Sequence, residues 1–188
     1  TNPQGRISGI IGVTELSQDT DNGSSPESVV QQSDFTMPMI GAARQKPLND
    51  KRLELGAEAG FSLGWDSDRT SVAIGNGTVV VLAKNNVRLF DISMGAYASR
   101  KLGDRWRLYG GIGPLLQWAS VDLEFDELVN GRDGINENGF GYGYYTRVGL
   151  ELEVQRGMGV GLVARWVDSK VNLGGLLGDT DLEAIQVG

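Results

Sequence analysis

From Arg52 to Trp65 every second residue is apolar: Leu53, Leu55, Ala57, Ala59, Phe61, Leu63 and Trp65. The residues between them are charged, small or polar: Arg52, Glu54, Gly56, Glu58, Gly60, Ser62 and Gly64. Side chains of a strand point to alternate faces, whereas a helix would scatter this set around its circumference. The stretch predicts one long strand with an apolar face and a narrow polar face.

The alternation recurs along the chain. A first strand is predicted over Gly5–Leu16 and a second over Phe35–Gln45, separated by the polar stretch Ser17–Ser33. Lys46–Asp50 is a tight turn into the third strand, and Asp66–Thr78 is another polar loop. The fourth strand is clearest from Arg88 to Ser99, with Val79–Ala83 as an extension, and Lys101–Asp104 turns the chain into a fifth strand from Trp106. Asp122–Gly139 is a third loop. A sixth strand carries Tyr142 to Val154 and turns at Gln155-Arg156-Gly157. A seventh runs from Met158 to Trp166, Asp168–Thr180 is the fourth loop, and Asp181–Gly188 begins an eighth strand. The connections alternate long and short throughout, as they do in outer-membrane barrels but have no reason to do in soluble meanders.

Glycine decides which face meets which solvent. It shares the charged face, opposite the bulky one, as expected where the charged face lines a crowded interior and the bulky face meets lipid. Trp106 and Trp118 lie twelve residues apart on the fifth strand. At about 3.3 Å per residue and a tilt near 40°, that spans about 30 Å, the thickness of a bilayer's hydrocarbon. Trp65, Trp106, Trp118 and Trp166 are therefore expected at the membrane interfaces.

Composition narrows the choice further. The 188 residues suit a single domain, residues 1–188, and mean hydropathy is −0.19. That excludes the runs of about 20 apolar residues that membrane helices need, and leaves a barrel open. Glycine, at 28 residues, is about twice the usual share of roughly 7%. Cysteine and histidine are absent, which removes thiolate metal sites, disulfides and the commonest general base. A net charge of −7 argues against nucleic acid as a partner. The chain opens at Thr1-Asn2-Pro3-Gln4 without a signal peptide, so an exported protein is expected here in its mature form.

In this alternation of eight strands with long and short connections, the chain resembles the small eight-stranded outer-membrane barrels, the OmpA-, OmpX- and opacity-like superfamily. The resemblance implies an all-β fold: an eight-stranded antiparallel up-and-down transmembrane β-barrel with long extracellular loops and short periplasmic turns. It implies location in the bacterial outer membrane, with outer-membrane lipid as a partner. Outer-membrane barrel enzymes such as lipid-A deacylases, palmitoyltransferases and omptin-like proteases rely on histidine, so no enzyme, cofactor or metal is expected.

Ten charged residues are expected to share the interior: Arg52, Glu54, Glu58, Arg88, Asp91, Arg107, Arg147, Glu151, Glu153 and Arg165. They read as a selective pore lining or as a mutually neutralising plug. Both signs are present and eight strands leave little lumen, which favours the plug. The long loops collect acids, including Asp19, Asp21, Glu27, Asp66, Asp122, Asp133 and Asp168, while Lys46, Arg52, Arg100, Lys101 and Arg105 gather at the short turns. The loops are thus expected to meet a cationic or metal-bridged ligand or protein, although Asp19-Thr20-Asp21-Asn22-Gly23 lacks calcium-loop spacing. The expected role is structural or surface interaction. Two alternatives stay open: a narrow gated pore for small solutes, and a soluble lipocalin-like barrel with its apolar face inward.

Overall fold

The computed structural model describes residues 5–19, 35–49, 52–74, 79–125, 135–155, 158–172 and 179–188. Eight strands follow one another: β1 (Arg6–Asp19), β2 (Phe35–Pro47), β3 (Leu53–Ile74), β4 (Val79–Leu102), β5 (Trp106–Phe125), β6 (Ile135–Gln155), β7 (Met158–Asn172) and β8 (Asp179–Val187). Each pairs antiparallel with the next, and β8 pairs back with β1 to close the ring. Stepping from partner to partner runs Ser8, Ala43, Gly60, Ser93, Leu115, Gly143, Ser169, Leu182 and returns to β1 at Gln18. The path comes back ten residues above its start, a shear of ten over eight strands. That stagger tilts the strands by about 40° and leaves an interior that side chains can fill.

The turn end of the barrel is held locally. The Asn49 side chain accepts from the Leu55 N–H at 2.8 Å and donates to the Leu53 carbonyl at 3.2 Å. Gly103, with φ at 74°, supplies the left-handed residue of the β4–β5 turn.

At the opposite end the strands run well past their expected limits. Asp66–Thr78 was expected as loop, yet β3 continues to Ile74 and β4 starts at Val79. Likewise β5 reaches Phe125, β6 starts at Ile135, and β7 carries Asp168 on to Asn172. Several acids assigned to loops therefore sit on strands. The reason is a change of solvent. Climbing the strands, outward residues switch from apolar to polar: Val13 to Glu15, Pro38 to Thr36, Phe90 to Arg88, Phe140 to Asn138, Trp166 to Asp168 and Ile185 to Glu183. Above this belt the wall faces water, and its outward polar residues resemble loop composition.

The interior inverts close to the same level. On β4 the inward series passes from Asp91 to Leu89, on β7 from Arg165 to Val167, and on β8 from Gln186 to Ala184. Leu89, Val167 and Ala184 join Met37, Val87, Leu115, Ala119, Val171 and Leu182 in one buried apolar cluster. Below it, Phe61, Ile92, Met94, Ile112, Leu116, Val148 and Leu162 stand exposed on the outer wall. The soluble-barrel alternative required these inside, so their placement overturns it.

Candidate functional site

The lumen below the apolar cluster holds a connected set of charged and hydrogen-bonding side chains. Strand alternation aims them inward, and tyrosines crossing the barrel knit them together. Arg107 is buried on β5. It donates to Gln45 at 2.7 Å, Ser99 at 3.1 Å, Glu151 at 3.2 Å and Glu54 at 3.5 Å. Its guanidinium also lies 5.1 Å and 5.8 Å from the ring centres of Tyr109 and Tyr97, within cation–π range. Glu54 accepts further bonds from Tyr97 at 2.9 Å and Ser99 at 3.2 Å.

One layer higher, the Glu58 carboxylate takes three donors: Arg147, Tyr145 at 2.8 Å and Gln45 at 3.1 Å. Gln45 thus bridges the Arg107 and Glu58 groups. Higher again, Arg165 grips Asp91 with two bonds of 2.9 and 3.0 Å and donates to Gln186 at 2.9 Å. Ser62 donates to the same Asp91 carboxylate, and Arg165 lies 4.9 Å from the Tyr145 ring centre. Above these, Ser169 donates to Gln117 as a last polar pair among the apolar side chains. Charges buried in low dielectric persist only when paired in this way.

Glycine makes room for the tyrosines. Gly149 stands opposite Tyr109 and Gly56 opposite Tyr97 in register. A Cβ at either position would run into the facing ring. One small cavity of about 30 Å³ lies between the Glu58 and Asp91 groups, lined among others by Ser62, Ser93, Tyr145, Arg147 and Arg165. It has room for a water or two.

Seven of the ten expected interior charges meet here: Glu54, Glu58, Asp91, Arg107, Arg147, Glu151 and Arg165. Three do not. Arg88 shares the outward face of β4 with Phe90 and is exposed beside Trp65, its register partner on β3. Its own strand's parity excludes it from the lumen. Arg52 precedes β3 at the turn end and is exposed, and Glu153 is exposed near the foot of β6. Both have the inward phase but lie where the lumen opens to water. The neutral partners Gln45, Ser62, Ser99, Gln117, Ser169 and Gln186 were missed, although their inward phase could have found them.

The four tryptophans all point outward. Trp65, Trp118 and Trp166 end the apolar run at the loop end, and Trp106 begins it at the turn end. Trp166 packs edge-on against Tyr144, ring centres 5.4 Å apart, and the Tyr144 hydroxyl donates to Asp168 at 2.6 Å. Among the described residues no group of three or more acidic side chains is placed to hold a metal. The Asp19–Gly23 stretch lies largely outside the described residues.

The chain is similar to several solved structures. Ail, the attachment invasion locus protein of Yersinia pestis, is 12% identical, with 100% of this chain and 97% of Ail covered at a TM-score of 0.51. Its complex with the heparin analogue sucrose octasulfate gives 13% identity, the same coverage and a TM-score of 0.49. Neisserial surface protein A is 12% identical, with 97% of this chain and 92% of that one covered at a TM-score of 0.46. No curated protein matches the chain. The model of the outer membrane protein beta-barrel domain matches residues 1–188, and the chain belongs to that family of bacterial outer-membrane barrels.

Proposed function

We propose that this barrel is a non-enzymatic surface-interaction protein whose lumen does not conduct and whose extracellular loops carry the binding. The observation that carries the reading is the double closure of the interior. Three arginines tie down four carboxylates in the membrane half, and a layer of apolar side chains lies above them. Water entering from the loop end would first have to wet that apolar layer. An ion passing the membrane half would have to break paired charges in a space that side chains fill.

The loop partner is cationic, or anionic and bridged by divalent metal, because the loop stretches carry an excess of Asp and Glu in the sequence. Reconstitution in a planar bilayer tests the closed lumen. The expected record is flat, with at most rare transient openings. Stable porin-like steps from the wild-type protein would replace this reading with the narrow gated pore.

A further inference from the structure

The lipid-facing wall carries charge on one side only. Between the tryptophan belt and the turns, the outward positions of β1, β3, β5, β6, β7 and β8 hold no charged side chain among the described residues. Arg44 and Lys46 on β2 and Arg100 on β4 are the exceptions. Each is exposed, and each has the outward phase of the exposed Ile40 or Ile92 on its own strand. Among the described residues none of the three forms an ion pair.

These cations do not lie beyond the apolar wall. Arg100 pairs in register with Leu53 and Leu108, and Leu102, nearer the turn on the same face, pairs with Trp106. Lys46 pairs with Ala57, and Leu55 and Leu53 follow on that face of β3 toward the turn. Leu53, Leu55, Leu102 and Trp106 are all exposed. The charges therefore stand at the edge of the hydrocarbon, where a long basic side chain reaches toward the headgroups. Arg44, the farthest of the two β2 cations from the turn, does so. Its Nε lies 3.8 Å from where a Cβ on Gly5 would stand, at the foot of β1.

The wall beside these cations is shallow. Ala59 pairs with Arg44, and Ala57 pairs with Lys46 on one side and Ala96 on the other. Ala98, the next outward residue above Arg100, pairs with Gly110. Phe61, Met94 and Ile112 stand exposed along the loop-end edge of this patch. The turn half of β6 and β7 presents Val148, Leu150, Val160 and Leu162 instead. A patch of small side chains, bordered by three cations, leaves a seat for the first part of an acyl chain below a headgroup.

We propose that the outer wall from β2 to β5 is a binding site for an anionic phospholipid of the turn-end leaflet. Its phosphate is held by Lys46, Arg100 and Arg44 through charge-assisted hydrogen bonds, and an acyl chain lies on the alanine patch. The site rests on the outer-membrane reading. A soluble anion does not fit, because lipid-facing Leu53, Leu102 and Trp106 surround the cations. A zwitterionic lipid brings its own positive group and leaves the three protein charges unbalanced.

The test refolds the full chain into nanodiscs holding an equal mixture of phosphatidylcholine and phosphatidylglycerol with the same acyl chains. Native mass spectrometry after gentle release then counts which lipids stay bound. Phosphatidylglycerol should be retained in preference, and each cation replaced by glutamine should weaken that preference by about fivefold, the effect of one basic residue at an anionic membrane surface. Arg88→Gln, at the loop end, should leave it unchanged. Ala57→Phe fills the patch without touching the cations and should also cut retention. Equal retention of the two lipids by the wild-type protein would overturn the site without needing any variant. So would a preference that survives loss of all three cations, or displacement of the bound lipid by soluble glycerol phosphate. Failure of the wild-type protein to insert into any bilayer would overturn the membrane reading itself.

Discussion

Arg165 on β7 forks onto Asp91 on β4 across the lumen, with paired distances of 2.9 and 3.0 Å. The two strands are not neighbours, so this contact ties one side of the barrel to the other. The side chains are 11% and 1% exposed, and Ser62 and Gln186 complete the hydrogen bonding. Removing one partner strands the other in a dry interior. Asp91→Ala should therefore cost about 3–5 kcal/mol, measured by denaturant unfolding in lipid. The double variant Asp91→Leu with Arg165→Met should cost clearly less than the sum of the two single changes. Strict additivity would show that the pair does not interact.

Glu58 offers a finer test because its three donors differ in kind. Tyr145→Phe deletes one hydroxyl and keeps the ring that packs under Arg165. A hydrogen bond to a charged group contributes about 1.5–3 kcal/mol, and the loss should fall in that range. Arg147→Met should cost more, since it removes the countercharge as well as a donor. If the two changes cost the same, Arg147 is held by something other than Glu58.

The glycine and tyrosine pairs are expected to behave as coupled units. At Gly149 a methyl group would meet the Tyr109 ring, which already lies beneath the Arg107 and Arg147 guanidiniums. Gly149→Ala should destabilise the barrel by about 1–3 kcal/mol through overpacking. Tyr109→Leu in that background should recover part of the loss. A neutral Gly149→Ala would mean that the ring has somewhere else to go.

The membrane half of the fold was legible because alternation is a backbone property that needs no tertiary knowledge. Leu53 to Trp65 showed its two faces directly, and the interior partners Glu54, Glu58, Arg107 and Arg147 followed from phase alone. What the pattern could not show was pairing. Arg165 meets Asp91 three strands away rather than a glutamate on a neighbour, because shear sets which inward residues share a level. The upper wall was misread for a physical reason. Above the tryptophan belt the outward residues face water, so Asp122 and Asp168 look like loop residues while their strands continue. Arg88 was placed inside on charge alone, although it has the phase of Phe90.

Binding by the loops should depend on salt in a defined direction. Exposed charges are screened beyond about 8 Å at physiological ionic strength. A cationic peptide should bind detergent-solubilised barrel more weakly as salt rises, and an anionic glycan should bind only with divalent metal present. Deleting residues 21–31, which lie between β1 and β2 in the chain, should alter this binding while the barrel stays folded. Tight, metal-free polyanion binding would reverse the assignment of partner charge.

The outer wall can be mapped with a single inserted charge. Ile112 lies midway along β5 between Trp106 and Trp118, exposed on the outer face. Leu108 shares that face two residues from Trp106. An arginine costs about 2–4 kcal/mol at the bilayer midplane and about 0–1 kcal/mol near an interface, where its long side chain reaches the headgroups. Ile112→Arg should therefore destabilise the refolded protein by the larger amount and Leu108→Arg by the smaller. The same substitution at Leu89 should be severe for a different reason, since it buries a charge without a partner in the apolar layer of the lumen. The three effects separate lipid, interface and core. Transfer from phospholipid to a detergent micelle should change the Ile112→Arg penalty far more than the Leu89→Arg penalty. Equal costs at Ile112 and Leu108 would mean that the tryptophans do not bracket the hydrocarbon.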